Sequence, residues 1–169
     1  MPASPYIRNL RAKIGHDLLL LQSATVILFD ENGKMLLAQN KETGVWMTIG
    51  GAIDPGEEPA DAAVRECWEE TGLLVRPIRL LGVFGGPSFR IVYPNGDIAS
   101  YVAIVFEARR ISGTLRADGC ETSALKFVSR DESKSLPMAP WNEFMVGAAF
   151  EYKDRTYFAP PTWKPPQTA

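Results

Sequence analysis

Histidine is almost missing: His16 is the single one in 169 residues. No Ser-His-Asp set can therefore form away from it. Cysteine is nearly as scarce. Cys67 and Cys120 could make at most one bridge, and without a sign of export they are expected as reduced thiols in a cytoplasm. Long apolar runs are lacking too. The longest, Tyr101 to Phe106, has six residues, whereas a membrane-spanning helix needs about 20. Met1 to Gln22 carries Arg8, Arg11, Lys13, His16 and Asp17 among its apolar residues, which is not the layout of a secretory signal. An excess of charge is also absent. Eighteen basic and 20 acidic side chains leave a net charge of −2, so general nucleic-acid binding, which favours a basic chain, is not expected.

What remains is an ordinary globular composition, 46% hydrophobic and 22% charged. The length suits one domain with an added end. Tyr6 to Leu21 reads as a helix with an apolar exit, because Tyr6, Leu10, Ile14 and Leu18 recur four apart. Ala24 to Phe29 is a β-rich run, closed by the turn Asp30-Glu31-Asn32-Gly33 and answered by Met35 to Gln39. Val45 to Ile49 is a third strand, ending at Gly50-Gly51. A loop with Pro55 and Gly56 leads to a helix from Pro59 to Thr71, and Gly72 stops it. Further strands are expected at Ile78 to Phe84, Phe89 to Tyr93, Ile98 to Glu107 and Ala124 to Ser129. The turn Pro94-Asn95-Gly96-Asp97 joins the second and third of these. Trp141 to Phe150 reads as a last helix. The pattern predicts an α/β (α+β) fold, a mixed sheet sandwiched between helices. Its parts are an N-terminal helix (1–22), a central domain (23–158) and a Pro-rich, disordered tail (159–169).

The Pro59–Thr71 helix carries a conflict. Ala60, Val64, Cys67 and Trp68 share a face that should meet the core. Glu66, Glu69 and Glu70 stand at i, i+3 and i+4 on another side, where like charges repel by a few tenths of a kcal/mol per pair. They also occupy the end of the helix where its dipole disfavours negative charge. A solvated acidic face would explain the triplet in isolation. A hard divalent cation would resolve the conflict, since Mg²⁺ is held by one or two carboxylates with waters and substrate phosphates.

The stretch from Gly51 to Leu73 resembles the Nudix box, G-x5-E-x7-R-E-U-x-E-E-x-G-U with U apolar. Gly51, Glu57, Arg65, Glu66, Glu69, Glu70 and Gly72 match every fixed letter, and Leu73 fits the last apolar place. A chance match is on the order of 10⁻⁶ by composition. Cys67 stands where an aliphatic residue is usual. Trp46 and Gly50-Gly51 look like the family's W-x-x-P-G-G approach, with Ile49 in place of the proline. The resemblance reaches from Ala24 to Ser129, and it implies a Nudix-like mixed sheet between helices. It further implies hydrolysis of a phosphoanhydride in a nucleoside diphosphate derivative with water as nucleophile and Mg²⁺ as cofactor, Mn²⁺ substituting. The substrate would be a nucleotide sugar such as ADP-ribose, or a nucleoside triphosphate. Glu66, Glu69 and Glu70 become metal ligands, the Gly50 carbonyl a further one, and Glu57 a contributor through water. Arg65 orients these acids at the catalytic centre. A base from outside the box is suggested at Glu121, six residues before Phe127; Glu69 is the next candidate.

Around Gly85-Gly86-Pro87, the rings of Phe84, Phe89 and Tyr93 could stack a base or ribose, or could be ordinary strand packing. The partner is then a small nucleotide, with no membrane. The N-terminal stripe could also cover itself on a sister subunit, as a homodimer. Two other functions compete. A non-catalytic nucleotide-sensing Nudix module would usually lose box glutamates, and all are kept. An isopentenyl-diphosphate isomerase would need more histidines than His16.

Overall fold

The computed structural model describes residues 4–165. In chain order the elements are α1 (Pro5–Ile14), β1 (Leu19–Leu28), β2 (Met35–Asn40), β3 (Trp46–Met47), β4 (Ile49–Ala52), α2 (Pro59–Thr71) and β5 (Leu73–Phe84). A 3₁₀ turn (Pro87–Phe89) follows, then β6 (Arg90–Val92), β7 (Ile98–Gly113), β8 (Thr122–Val128), α3 (Arg130–Ser133) and α4 (Pro140–Glu151). None of the described helices is long and apolar enough to cross a membrane.

Two sheets form. The larger has the order β4-β1-β7-β5, with β6 added to β7; the smaller is β3-β2-β8. β1 and β7 run parallel over ten residue pairs, from Leu19–Ala99 to Leu28–Ala108, and the other pairings are antiparallel. Alternation along β1 divides the core. Ala24, Val26 and Leu28 face one way and bury with Ala62, Ala63 and Cys67 of α2. Ile27 faces the other way and buries with Met145, Val146 and Ala149 of α4. The sheet between helices is thus the expected architecture.

Local chemistry shifts several boundaries. α1 stops at Ile14, well short of Leu21. Gly15 takes φ +61° and its N–H caps the Arg11 carbonyl, and Leu19 is already paired with Ala99. The expected boundary between residues 22 and 23 therefore falls inside β1. Leu18, expected on the helical stripe, is exposed. The expected strand Val45–Ile49 breaks at Thr48, where the chain passes from the smaller sheet to the larger. There the Thr48 N–H donates to Asn142 Oδ1 of α4 at 2.9 Å, and Asn142 Nδ2 donates to the Trp46 carbonyl at 3.2 Å. This buried amide replaces the ladder bonds lost at the break.

The segment after α4 closes one edge. The Tyr157 N–H donates to the Leu81 carbonyl at 2.6 Å, and its ring stacks on Phe84 at 4.5 Å. Beyond it, residues 159–165 have no regular structure; the rest of the expected tail lies outside the described residues.

Candidate active site

α2 runs over the residues expected of it. Pro59 starts it, and Gly72 ends it at φ +69° with its N–H on the Trp68 carbonyl. Its rotation differs from the expectation. The buried side is Ala62, Ala63, Glu66, Cys67, Glu70 and Thr71, while Trp68 lies outside, 49% exposed. Two carboxylates therefore point inward. Gly51 of β4 leaves room for the inward Glu66, and Gly50 lets β4 lie close against β1. A Cβ on Gly51 would stand 2.5 Å from Glu66 Oε1, and one on Gly50 would overlap the Ala24 carbonyl oxygen. Gly50 also takes φ +150°, a backbone state that suits glycine.

Arg65 organises the acids. Its Nε donates to Glu57 Oε1 at 2.8 Å and Nη2 donates to Glu57 Oε2 at 2.9 Å. Nη1 donates to Glu66 Oε1 at 2.7 Å and, more weakly, to Glu69 Oε2 at 3.3 Å. Nη2 also reaches the Ala52 carbonyl at 3.1 Å. The bidentate grip on Glu57 folds the Gly51–Glu58 loop back onto the helix. Through that bond the guanidinium holds the Glu57 carboxyl below the usual carboxylate range. Burial does the opposite to the inward pair. It raises Glu66 despite Arg65, and it pushes Glu70 up to about 8, helped by the charge of Glu66 and opposed by the Gly50 N–H. Cys67 is buried and pushed up to about 11, which removes it as a nucleophile near neutral pH.

One atom stands out. Glu66 Oε2 is buried and has no hydrogen-bond partner among the described residues, and Glu66 is only 1% exposed. A buried carboxylate oxygen so placed costs free energy unless a proton or a cation meets it. Among the described residues no three acids, histidines or cysteines are drawn into a ready cage. Glu69 lies on the exposed side and is held by Arg65. This donor set still fits a hard divalent ion that takes few carboxylates and completes its shell with waters and phosphates.

The acids stand in a cleft of about 450 Å³ whose walls include Gly50, Gly51, Ala52, Arg65, Glu66, Glu70 and Glu121. Glu121, just before β8, is thus brought to the same space from a distant part of the sequence. Its N–H is held by Asp118 at 3.2 Å and its carbonyl accepts from the Lys41 N–H at 2.7 Å. A second cavity of about 150 Å³ opens from the same Gly50–Ala52 strand and is walled by Phe89, Ile91, Trp141 and Met145. Tyr93 and Tyr101 border both spaces, their hydroxyls 2.7 Å apart.

Of the three rings expected at the substrate, Phe89 and Tyr93 line this region and Phe84 does not. Phe84 is core, packed by Phe144 at 5.8 Å and by Tyr157. Residues missed from the sequence are Tyr101, Trp141, Met145 and Ala52. The first three sit in plain strand or helix patterns, and Ala52 acts through a backbone carbonyl, so none carried a signal.

Comparison with known proteins agrees with this geometry. The NUDIX domain profile matches residues 19–146. A Bacillus subtilis (strain 168) protein, provisionally named an 8-oxo-dGTP diphosphatase, is 36% identical over 108 residues, 64% of this chain and 66% of that one. The fold matches the MutT protein of Methanosarcina mazei Go1 with a TM-score of 0.67 at 21% identity, over 83% of this chain and 99% of that one. It also matches an ADP-ribose pyrophosphatase of Streptococcus suis 89-1591 with a TM-score of 0.65 at 22% identity, over 82% and 96% of the two chains. An acidic helix turned onto two glycines, clasped by one arginine and matched by that profile over most of its length, makes this chain a member of the Nudix hydrolase family.

Proposed function

We propose that the protein hydrolyses a phosphoanhydride bond in a nucleoside diphosphate derivative, a nucleotide sugar such as ADP-ribose or a nucleoside triphosphate, with Mg²⁺ as cofactor and water as nucleophile. The observation that carries this reading is the orphaned, buried oxygen of Glu66 beside Glu70 on the floor of an open cleft. Glu66 and Glu70 would hold the ion, with the Gly50 carbonyl and Glu69 as further donors and Glu57 acting through water. Mg²⁺, or Mn²⁺ in its place, would neutralise phosphate oxygens and acidify a water.

The chain's own residues do the rest. Arg65 fixes Glu57 and Glu66 in place, so the acids need no reordering when substrate arrives. Glu121, which lines the same cleft, is the candidate to accept the proton of the attacking water, and Glu69 is the alternative. Phe89, Ile91, Trp141 and Met145 form an apolar, aromatic recess suited to a nucleobase. Cys67 and Cys120 are both free thiols, in keeping with a reducing, cytoplasmic setting. Turnover of a nucleotide panel, with phosphate and nucleotide products read out, tests the proposal. Activity should vanish in excess chelator and return with Mg²⁺ or Mn²⁺; full turnover in chelator would refute it.

A further inference from the structure

Along β1 the sheet passes from core to recess. The strand lies beside β7 in unbroken parallel register. On the face toward α4, Ile27 buries with Met145, Val146 and Ala149. Alternation puts Thr25 and Ser23 on that same face, and both line the recess together with Phe89 and Trp141. Thr25 is 5% exposed, yet neither its hydroxyl nor that of Ser23 has a hydrogen-bond partner among the described residues. A buried hydroxyl without a partner costs free energy unless something in the cavity meets it.

The other hydroxyls of the recess are occupied. Thr48 Oγ1 donates to Asn142 Oδ1 at 3.0 Å, and the Tyr93 and Tyr101 hydroxyls bond each other at 2.7 Å. The Asn142 amide is spent on Thr48 and on the Trp46 carbonyl. Apart from the Trp141 indole, no side chain lining the recess has a fixed pattern of donors and acceptors, since none is charged and none is an amide.

We propose that the Thr25 hydroxyl, with that of Ser23 on the same face, meets the polar edge of the nucleobase, and that the recess accepts an amino or a carbonyl group there alike. The proposal rests on the nucleotide reading above and names the residues that read the base. A hydroxyl rotates to donate or to accept. It answers the amino group of adenine or cytosine as an acceptor, and the carbonyl of guanine or uracil as a donor. A fixed donor would reject the base that offers it a second donor, because both groups would be left buried and unpaired. The rings of Phe89 and Trp141 add stacking that every base can use.

The test uses the full chain with Mg²⁺ and the α,β-methylene diphosphates of adenosine, guanosine, cytidine and uridine, so that binding is read without turnover. Methylenediphosphonate is the probe without a base. Calorimetry should place the adenine and guanine probes within about 10-fold of each other, and likewise cytosine and uracil. Thr25→Val, which keeps the shape and removes the hydroxyl, should weaken every nucleoside probe by about 10-fold and leave methylenediphosphonate unmoved. It should not lower the melting temperature of the ligand-free protein, because no bond is lost. A purely structural Thr25 would give the reverse, a lower melting temperature with the ratio of nucleoside to base-free affinity preserved. Ser23→Ala should lower the same ratio, which keeps the test open if the valine variant misfolds. Nucleoside affinities unmoved by Thr25→Val in a folded protein, or a wild type that separates adenine from guanine by more than about 10-fold, would overturn the proposal. The expected binding without cleavage of the natural nucleotides would refute the hydrolysis and leave the base reading standing. Nucleoside probes that bind no better than methylenediphosphonate would overturn the base reading, whether or not cleavage occurs.

Discussion

α1 and α2 are helices of similar length that both border the cleft, yet they are held by opposite means. α2 buries six residues, two of them glutamates, against β1, β4 and β5. α1 buries none; Ile7, Leu10, Arg11 and Ile14 are only half-covered, and its Arg11 reaches the carbonyls of Gly15, Asp17 and Ile98 and the carboxylate of Asp97. α2 is fixed by packing and charge together, so a change there costs stability and chemistry at once. α1 is fixed by a few polar contacts at the surface, so it can change with little cost to the fold. The acid-bearing element must stay rigid to hold its geometry.

The largest contrast should be in turnover. If Glu121 accepts the proton, Glu121→Gln lowers turnover by about 10²–10⁴-fold at saturating Mn²⁺ and leaves metal affinity nearly intact. Glu70→Gln should instead weaken metal binding in the same titration. Wild-type turnover by the Glu121 variant at saturating metal would move the base to Glu69.

Next is steric. Gly51→Ala drives a Cβ into the Glu66 carboxylate and should cost about 1–3 kcal/mol of stability together with activity. Denaturant unfolding with and without Mg²⁺ reads both. Removing the clasp with Arg65→Met leaves Glu57 and Glu66 without their cation. It should destabilise the metal-free protein by a few kcal/mol, and added Mg²⁺ should restore part of that loss.

The pH dependence sharpens the same point. The folded protein raises Glu70 to about 8 from an ordinary value near 4.5. Between those values the folded state binds more protons than the unfolded one. Metal-free stability is therefore highest below about pH 4.5, as far as this group is concerned, and is lost as pH rises through 8. Melting in chelator should fall across pH 5.5 to 8.5, and Glu70→Gln should flatten the slope. A slope that survives that substitution would mean that Glu70 is not its source.

The smallest effect should come from α1. Deleting residues 1–15 should cost about 1 kcal/mol or less, because none of the described side chains in that stretch is buried. Deleting 1–21 should cost clearly more, since it also removes the Leu19–Ala99, Leu20–Ser100 and Leu21–Tyr101 pairs of β1 and β7. Equal losses of melting temperature would show that α1 packs more firmly than its exposure indicates.

Much of this was legible in the chain. The extent of α2 was marked by Pro59 and Gly72, whose backbone preferences act locally. The seven fixed residues from Gly51 to Gly72 marked the family for the same reason: spacing along one helix and loop is a local property. The rotation of α2 was not legible. Apolar periodicity puts Trp68 on the core face, but two glutamates take up part of the inner side, where Gly51 leaves room for Glu66, and the tryptophan turns outward. The Thr48 break was hidden because its compensating amide, Asn142, lies far along the chain. Beside Gly85-Gly86, Phe84 fits either a substrate ring or strand packing, and the rings of Phe144 and Tyr157 packed on it show that it is core.

The sequence by itself determined the acidic helix, its caps, the loop that carries Glu57, and the alternation that lets a sheet lie between two helices. Those depend on backbone preference and on side chains within a few residues of one another. Tertiary structure alone decided which carboxylates face inward, that Glu121 joins them, that one Glu66 oxygen is left without a partner, and that α1 walls part of the cleft. Each of those is a meeting of segments distant along the chain, and it depends on how β1, β4 and β7 stack, which no local pattern encodes.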